Sequence, residues 1–267
     1  MIMRWEGEMK RAIALLSGGI DSALTTQKAR ASCEELYVLH MSYGQKTWRK
    51  ERYCAEDIAK WYNAKEFKVV DVNFFREIGK SSLVDWGMEV PKYILPDSST
   101  IPNTYVPFRN GNIASIATAW AEIIEAQSIW IGVNALDYSG YIDCRPEFWV
   151  AFNRLLLVGT IHTPQVVTPI INMSKVDIIK DAIGSGVPVE RTWSCYIEEW
   201  KACGVCESCI LRRKAFLDAG FSDPIPYANT EKEFLSMIGG KHEKDSFSNN
   251  NGDVHLGTSS SPGCDEG

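Results

Sequence analysis

Apolar runs of strand length alternate with amphipathic stretches along most of the chain. The runs occupy residues 11–16, 35–41, 67–71, 128–133 and 166–169. Such runs are typical of strands buried on both faces, and their alternation with helices indicates a parallel sheet with right-handed crossovers. The pattern therefore predicts an α/β fold with a Rossmann-like, doubly wound parallel sheet.

Helical periodicity recurs between these runs, at residues 21–31, 48–62, 113–124 and 148–158. It is clearest in the third segment, where apolar residues recur at helical spacing and predict one apolar face. That face would comprise Ile113, Ile116, Ala117, Trp120, Ile123 and Ile124. In the second segment, we expect Tyr53, Ile58 and Trp61 to pack against the rest of the protein.

Residues 79–106 interrupt the alternation of strands and helices. They contain Pro91, Pro96 and Pro102 together with a polar run at 97–100, so we expect a long loop. Loops of this length in a compact domain are usually functional lids or disordered segments.

The sequence Ser17-Gly18-Gly19-Ile20-Asp21-Ser22 joins the first strand to the first helix. The glycines allow a sharp turn and a close approach of the backbone to a ligand. We expect the short side-chain oxygens of Asp21 and Ser22 to satisfy the first free N–H groups of the helix. A strand, a glycine turn and a helix N-terminus together favour an anion site, although no lysine follows at the P-loop spacing. The alternative is an ordinary strand–helix turn.

A second helix start carries a charge of unexpected sign. Ser174 and Asp177 have the spacing of a capping box, with aspartate in place of the usual glutamate or glutamine. Lys175 would lie in the first turn, where a cation gains nothing from the helix dipole. This mismatch suggests that Lys175 serves a ligand, and the alternative is a solvated lysine.

Four cysteines follow within fifteen residues, in the pattern C-x7-C-x2-C-x2-C: Cys195, Cys203, Cys206 and Cys209. Four thiolates at this spacing predict a closed, structural zinc site. An iron–sulfur cluster and four unliganded thiols are the alternatives. We expect the site to hold together a small segment, residues 191–230, next to a domain formed by residues 1–190.

Composition narrows the class of protein. The 267 residues are 45% hydrophobic and carry a net charge of −6, which indicates a globular protein and argues against broad nucleic-acid binding. Residues 1–8 do not have the pattern of a signal peptide, and no apolar run has the length of a membrane span. We therefore expect a cytoplasmic protein with no membrane contact. Residues 240–267 are rich in polar residues and predict a disordered tail, in which Cys264 would not be a ligand.

The loop at 17–22 resembles the pyrophosphate loop of the N-type ATP pyrophosphatases, the PP-loop superfamily with its HUP-type sheet. The chain as a whole, over about residues 11–227, resembles the 7-cyano-7-deazaguanine synthases of the QueC family. Besides that loop, Lys175 and the cysteines, the landmarks are Ser42-Tyr43-Gly44-Gln45-Lys46, Pro102-Asn103-Thr104-Tyr105-Val106-Pro107-Phe108-Arg109-Asn110 and Asp137-Tyr138-Ser139-Gly140-Tyr141-Ile142-Asp143-Cys144-Arg145.

The resemblance implies a ligase that uses ATP with Mg2+, ammonia and 7-carboxy-7-deazaguanine, contains structural Zn2+ and forms a homodimer. The carboxylate would attack the α-phosphate, ammonia would displace AMP to give an amide, and a second activation would give the nitrile. The implied catalytic residues are Asp21, Arg109 and Lys175. The implied nucleotide-binding residues are Leu16, Ser17, Gly18, Gly19, Asp21, Ser22, Leu39, Met41, Tyr43 and Lys175. The implied substrate-binding residues are Arg109, Asn110, Asp137, Tyr141, Asp143 and Arg145.

Some of these roles have structural alternatives: Asp143 could cap a turn, and Arg109 could pair with a carboxylate. The chain also departs from the usual family pattern at Phe108, at Ile142 and at Tyr196-Ile197-Glu198. These departures lie in loops expected to contact the substrate. Four other functions also stay open. They are a QueC-like enzyme that modifies a protein or nucleic acid in a defence system, a tRNA-thiolating PP-loop enzyme, another amidating ATP pyrophosphatase, and a non-catalytic zinc protein that binds a nucleotide.

Overall fold

A computed structural model describes residues 9–94, 101–136 and 141–245. Its sheet has the strand order β3-β2-β1-β4-β5, and every neighbouring pair is parallel. The strands are Met9–Leu15 (β1), Cys33–Ser42 (β2), Glu66–Asp71 (β3), Ser128–Ile131 (β4) and Gln165–Val167 (β5). The predicted Rossmann-like, doubly wound sheet is therefore confirmed, with strand ends that differ from the predicted ones by a few residues.

Helices connect the strands and follow the last one. They are Ile20–Ser32 (α1), Trp48–Trp61 (α2), Phe74–Ile78 (α3), Arg109–Ile124 (α4), Pro146–Gly159 (α5), Lys175–Gly184 (α6), Glu207–Ala219 (α7) and Glu231–Asp245 (α8). None of the helices in these described ranges is long and apolar enough to cross a membrane. The sequence pattern did not predict α3, α7 or α8.

The chain divides into two compact units after Asn229. The sheet and the four-cysteine segment lie in the first unit, so this division does not coincide with the predicted boundary at residue 190. In the second unit, α8 continues to Asp245, five residues beyond the predicted start of the disordered tail. The rest of that predicted tail lies outside the described residues.

Alternate side chains of the central strand enter two separate cores. Ala12 and Ala14 face one core with α1, α2 and α6, whereas Ile13 and Leu15 face the other with α4 and α5. Successive side chains of a strand point to opposite faces of the sheet. Helices cover both faces here, as is usual for a parallel sheet.

Helices α2 and α4 bury most, but not all, of the side chains that their periodicity predicted to pack: Ala117 and Trp120 are buried as predicted, and Ile113, Ile116 and Ile124 pack partly buried against the core. In α2, Ile58 is buried as expected, but Tyr53 and Trp61 are exposed. In α4, Ala114, Ala117, Trp120 and Ala121 are buried, whereas the predicted core residue Ile123 is 81% exposed. Three of these four buried residues are alanines, which let the helix approach the sheet closely.

The sheet order places β1 between β2 and β4, where the chain changes direction across the sheet. Open α/β sheets bind ligands at the carboxyl ends of their strands at such a point. The residue after β4, Gly132, shows how closely the chain packs there. A Cβ at Gly132 would lie 2.9 Å from the backbone atoms of Asp21 and Ser22.

We therefore expect Gly132→Ala to destabilise the protein by about 1–3 kcal/mol, because a methyl group has no room against rigid backbone. Chemical denaturation measures this loss. Gly159→Ala is the matched control, since a Cβ there meets no atom of the described chain within 4 Å. Equal stability of the two variants would contradict this account of the packing.

Candidate functional site

The loop between β1 and α1 is shaped by two hydroxyl groups and one glycine. The Ser22 hydroxyl accepts a hydrogen bond from the Ser17 N–H at 3.2 Å and donates one to the Gly19 carbonyl at 2.9 Å. The Ser17 and Ser22 hydroxyls lie 3.0 Å apart. Gly18 has a φ of 93°, a conformation that favours glycine. The loop is thus closed on itself before any ligand binds.

The first turn of α1 differs from the predicted one. Its N-cap residue is Gly19, and no side chain in the described part of the chain caps it. The prediction that Asp21 and Ser22 satisfy the first N–H groups is therefore wrong, since Ser22 bonds the loop instead. Uncapped N–H groups at the positive end of a helix dipole are the donors that bind phosphate.

Asp21 and Lys175 come together although they are 154 residues apart in sequence. The Lys175 Nζ donates to both carboxylate oxygens of Asp21, at 2.9 and 2.7 Å. The predicted cap of α6 is confirmed, because the Ser174 hydroxyl accepts a hydrogen bond from the Asp177 N–H. Lys175 follows this cap directly, so the start of α6 brings its side chain to the start of α1.

Arg109 lies across the same cleft, at the start of α4. Its guanidinium donates to the Tyr43 hydroxyl at 3.0 Å and lies 5.2 Å from the centre of that ring. Burial lowers the pKa of Arg109, but the oxygens of Tyr43, Tyr141, Tyr196 and Asp143 outweigh this effect, and the net pKa is raised. Arg109 is therefore a permanent positive charge in the cleft.

Asp143 makes hydrogen bonds to the start of α4. Its carboxylate accepts the Asn110 N–H at 2.8 Å and the Asn110 side-chain amide at 3.3 Å. The residue is 2% exposed, and burial raises its pKa, although the bond from Asn110 and the charge of Arg109 oppose that rise. Asp143 thus caps the start of α4 and fixes the residue next to Arg109.

One cleft collects most of the residues predicted from sequence. These are Leu16, Ser17, Gly19, Asp21, Ser22, Leu39, Met41, Tyr43, Arg109, Asn110, Tyr141 and Lys175. Gly18 shapes the loop from behind, Asp143 lies behind Asn110, and Arg145 is exposed at the start of α5. Asp137 lies outside the described residues. The structure therefore supports the predicted grouping, while the individual roles stay predictions.

Sequence reasoning missed several residues of the cleft wall. Glu51 of α2, Asn134 after β4, Trp193 and Ser194 before the first clustered cysteine, and Arg212 of α7 also line it. The Trp193 N–H donates to the Gly18 carbonyl at 2.8 Å. No periodicity signals such contacts, because they join segments far apart in sequence. The position of Asn134 after a buried strand was the one available signal.

The four predicted cysteines form one cluster. Their sulfur atoms all lie within 4.8 Å of one another, and those of Cys203 and Cys209 are 3.9 Å apart. Tetrahedral metal–sulfur bonds of about 2.3 Å require sulfurs about 3.8 Å apart, so these cysteines fit a four-coordinate ion.

Backbone N–H groups surround two of these sulfurs. Cys195 accepts hydrogen bonds from the N–H groups of Ile197, Glu198 and Cys203, and Cys203 accepts them from Val205 and Cys206. Such donors stabilise thiolate charge and orient the ligands. The cluster could therefore hold a metal ion.

Most of the chain matches a known protein family. Residues 11–220 match the family described as "Queuosine biosynthesis protein QueC". The chain belongs to the QueC family. A 7-cyano-7-deazaguanine synthase from Methanosphaerula palustris is 48% identical over 219 residues, which are 81% of this chain and 99% of that protein. The synthase of the same name from Acetivibrio thermocellus is 45% identical over 225 residues, 82% of this chain and 98% of that protein.

Solved structures of other proteins resemble this QueC-family chain more distantly. The U34-tRNA thiolase NcsA from Methanococcus maripaludis aligns with a TM-score of 0.45 and 14% identity, over 90% of this chain and 73% of that chain. An NH3-dependent NAD synthetase from Campylobacter jejuni aligns with a TM-score of 0.41 and 16% identity, over 94% of this chain and 92% of that chain. Both scores lie below 0.5, so these similarities add nothing to the family assignment.

We expect Cys206→Ser to lose the bound metal and to lower the free energy of unfolding by more than about 3 kcal/mol, because one ligand of a closed site is removed. Elemental analysis and chemical denaturation give the two readouts. Cys33→Ser changes a partly buried cysteine outside the cluster and should keep the metal. A Cys206→Ser protein without metal but with undiminished stability would show that the site is not structural.

Proposed function

We propose that this protein catalyses the ATP-dependent conversion of 7-carboxy-7-deazaguanine and ammonia to 7-cyano-7-deazaguanine, as a carbon–nitrogen ligase that works through an adenylate. The observation that carries the proposal is the match to the synthase of Methanosphaerula palustris, at 48% identity over 99% of that protein. The single cleft that collects the nucleotide and substrate residues supports it.

The loop at 17–22 and the start of α1 would hold the β- and γ-phosphates of ATP. Lys175, already bonded to Asp21, would add positive charge there, and Asp21 would help to hold Mg2+. Binding the departing pyrophosphate favours attack at the α-phosphate, because the charge that develops on the leaving group meets fixed donors.

The opposite wall would hold the deazaguanine carboxylate and the adenine. Arg109 is the cation placed to orient a carboxylate, since its guanidinium is fixed on Tyr43. Leu39, Met41 and Tyr43 would contact the adenine. Because Asp143 already caps α4, we assign it to positioning Asn110 and Arg109 instead of to reading the base.

The cysteine cluster would hold Zn2+, and free ammonia would be the nitrogen source. We also propose that the protein is a cytoplasmic homodimer. Exposed apolar side chains near the ends of α4 and α5 support a second copy as partner, with Ile123, Val158 and Ile161 each more than 80% exposed. The Glu122 carboxylate accepts the Ile161 N–H, so these residues share one surface.

The decisive experiment incubates the zinc-loaded protein with ATP, Mg2+, ammonium and 7-carboxy-7-deazaguanine. We expect release of AMP and pyrophosphate and a product with the mass of the nitrile. Release of ADP alone, or no turnover by folded protein, would refute the proposal. If pyrophosphate exchange required tRNA instead of the carboxylate, a tRNA-thiolating enzyme would be favoured.

We expect Lys175→Met to lower the rate of carboxylate-dependent ATP–pyrophosphate exchange by about 10²–10³-fold, the typical effect of removing one fixed donor to a developing charge. Lys180→Met is the matched control, because Lys180 is an exposed residue of the same helix. Similar exchange rates in both variants would remove Lys175 from the nucleotide site.

A further inference from the structure

Two carboxylates line the described part of the cleft, those of Asp21 and Glu51. Lys175 neutralises Asp21 through contacts to both of its oxygens. Glu51 forms no ion pair within the described residues, and its recorded hydrogen-bond partners are neutral. The cleft therefore contains one carboxylate that is not paired with a cation.

The Glu51 carboxylate is held in place by its neighbours. Its Oε1 accepts the Thr47 hydroxyl at 2.7 Å, and its Oε2 accepts the Gln45 side-chain amide at 3.0 Å. Gln45 is fixed in turn, because its own amide oxygen accepts the Tyr43 N–H at 2.8 Å. Each carboxylate oxygen has a second lone pair, so both can accept a further donor from the cleft.

Glu51 also lies beside the phosphate loop. A Cβ at Gly18 would come within 2.6 Å of the Glu51 carbonyl oxygen, so the first turn of α2 packs directly behind the loop. Glu51 lines the same cleft as Ser17 and Gly19 of that loop, so a group bound by Glu51 would share the cleft with a nucleotide held by the loop.

The charges around Glu51 suit proton transfer. Burial raises its pKa, while the hydrogen bonds from Thr47 and Gln45 and the charge of Arg109 on α4 lower it, and Glu199 raises it further. Tyr43 and Cys54 also lie near Glu51, and burial raises the pKa of Cys54 to about 11. The net effect raises the pKa of Glu51 above the ordinary value of a glutamate, because burial outweighs the groups that lower it.

The proposed reaction requires such a group, because ammonia is mostly ammonium at neutral pH and ammonium has no lone pair for attack. We infer that Glu51 forms an ammonium site, in which its carboxylate binds the ion and removes one proton. This inference rests on the proposed function and adds to it the residue that prepares the nitrogen nucleophile.

The step balances as follows. Ammonium transfers a proton to the Glu51 carboxylate and becomes ammonia, whose lone pair forms the C–N bond at the acyl-adenylate carbon. The bond from that carbon to the AMP oxygen breaks, and AMP leaves with the electron pair. The nitrogen releases a second proton to the departing phosphate or to water, which leaves the amide.

The test has to separate the ammonium site from two other roles. Glu51 could stabilise only the start of α2, through Thr47, or it could bind Mg2+ with the nucleotide. Both alternatives predict that its loss affects adenylate formation or stability. If Glu51 forms an ammonium site, loss of its carboxylate affects only the step that consumes nitrogen.

The test is Glu51→Gln, which keeps the size and one hydrogen-bond acceptor. We expect carboxylate-dependent ATP–pyrophosphate exchange and the Mg2+ requirement to stay within about twofold of the unaltered protein. We expect amide formation from ammonium to fall by about 10²–10⁴-fold, the usual contribution of general acid–base catalysis. In the unaltered protein this rate should rise with pH as the Glu51 carboxyl loses its proton and then level off, whereas in the variant it should keep rising as the fraction of free ammonia increases.

Hydroxylamine provides a rescue that a structural role would not allow. It is uncharged at neutral pH and needs no proton removed before attack, so the variant should form the hydroxamate at nearly the rate of the unaltered protein. Loss of pyrophosphate exchange, a changed Mg2+ requirement or equal loss with both nucleophiles would overturn the inference.

Glu56→Gln is the matched control, because Glu56 lies on the same helix and pairs with Lys60. It should leave both nucleophiles unaffected. Failure of the proposed function is distinguishable, since the unaltered protein would then show no carboxylate-dependent exchange at all.

Discussion

The loop between β1 and α1 leaves the first N–H groups of α1 without a side-chain cap and still holds a fixed shape. Uncapped donors are costly when buried, so the surroundings have to supply the rigidity that a capping side chain would normally give. Here the Ser17 and Ser22 hydroxyls close the loop internally, and Trp193 holds the Gly18 carbonyl from outside. Much of the remaining structure serves to keep these neighbours in position.

The four-cysteine segment contributes directly to that task. Trp193 stands two residues before Cys195, and the Glu199 carboxylate accepts the N–H groups of Arg49 and Lys50 at the start of α2. The same segment contacts the long loop, whose Tyr93 N–H donates to the Val205 carbonyl. Metal binding would therefore order two parts of the cleft wall, near Trp193 and at the start of α2, together with the long loop, although the cluster has a closed ligand set.

A buried arginine joins the end of this segment to the cleft. Arg212 of α7 donates to both oxygens of Asp223, at 2.7 and 2.9 Å, and to the Thr192 hydroxyl at 2.7 Å. Arg212 is 1% exposed, so water cannot replace the hydrogen-bond partners that balance its charge. Removing either partner would leave an uncompensated buried charge, which costs several kcal/mol.

The sequence by itself determined the α/β class, the turn between β1 and α1, the clustering of the four cysteines and the cap of α6, because each depends on neighbouring residues or on a short period. The prediction that Tyr53, Trp61 and Ile123 pack inside the protein was wrong. Periodicity shows which residues share a helix face, but it does not show how closely the sheet approaches that face. Only the tertiary structure shows that Lys175 contacts Asp21, that Asp143 caps the start of α4 and that Glu51 lines the cleft. These contacts join residues on separate elements, and their geometry is set by the packing of the helices on the sheet, which no local pattern encodes.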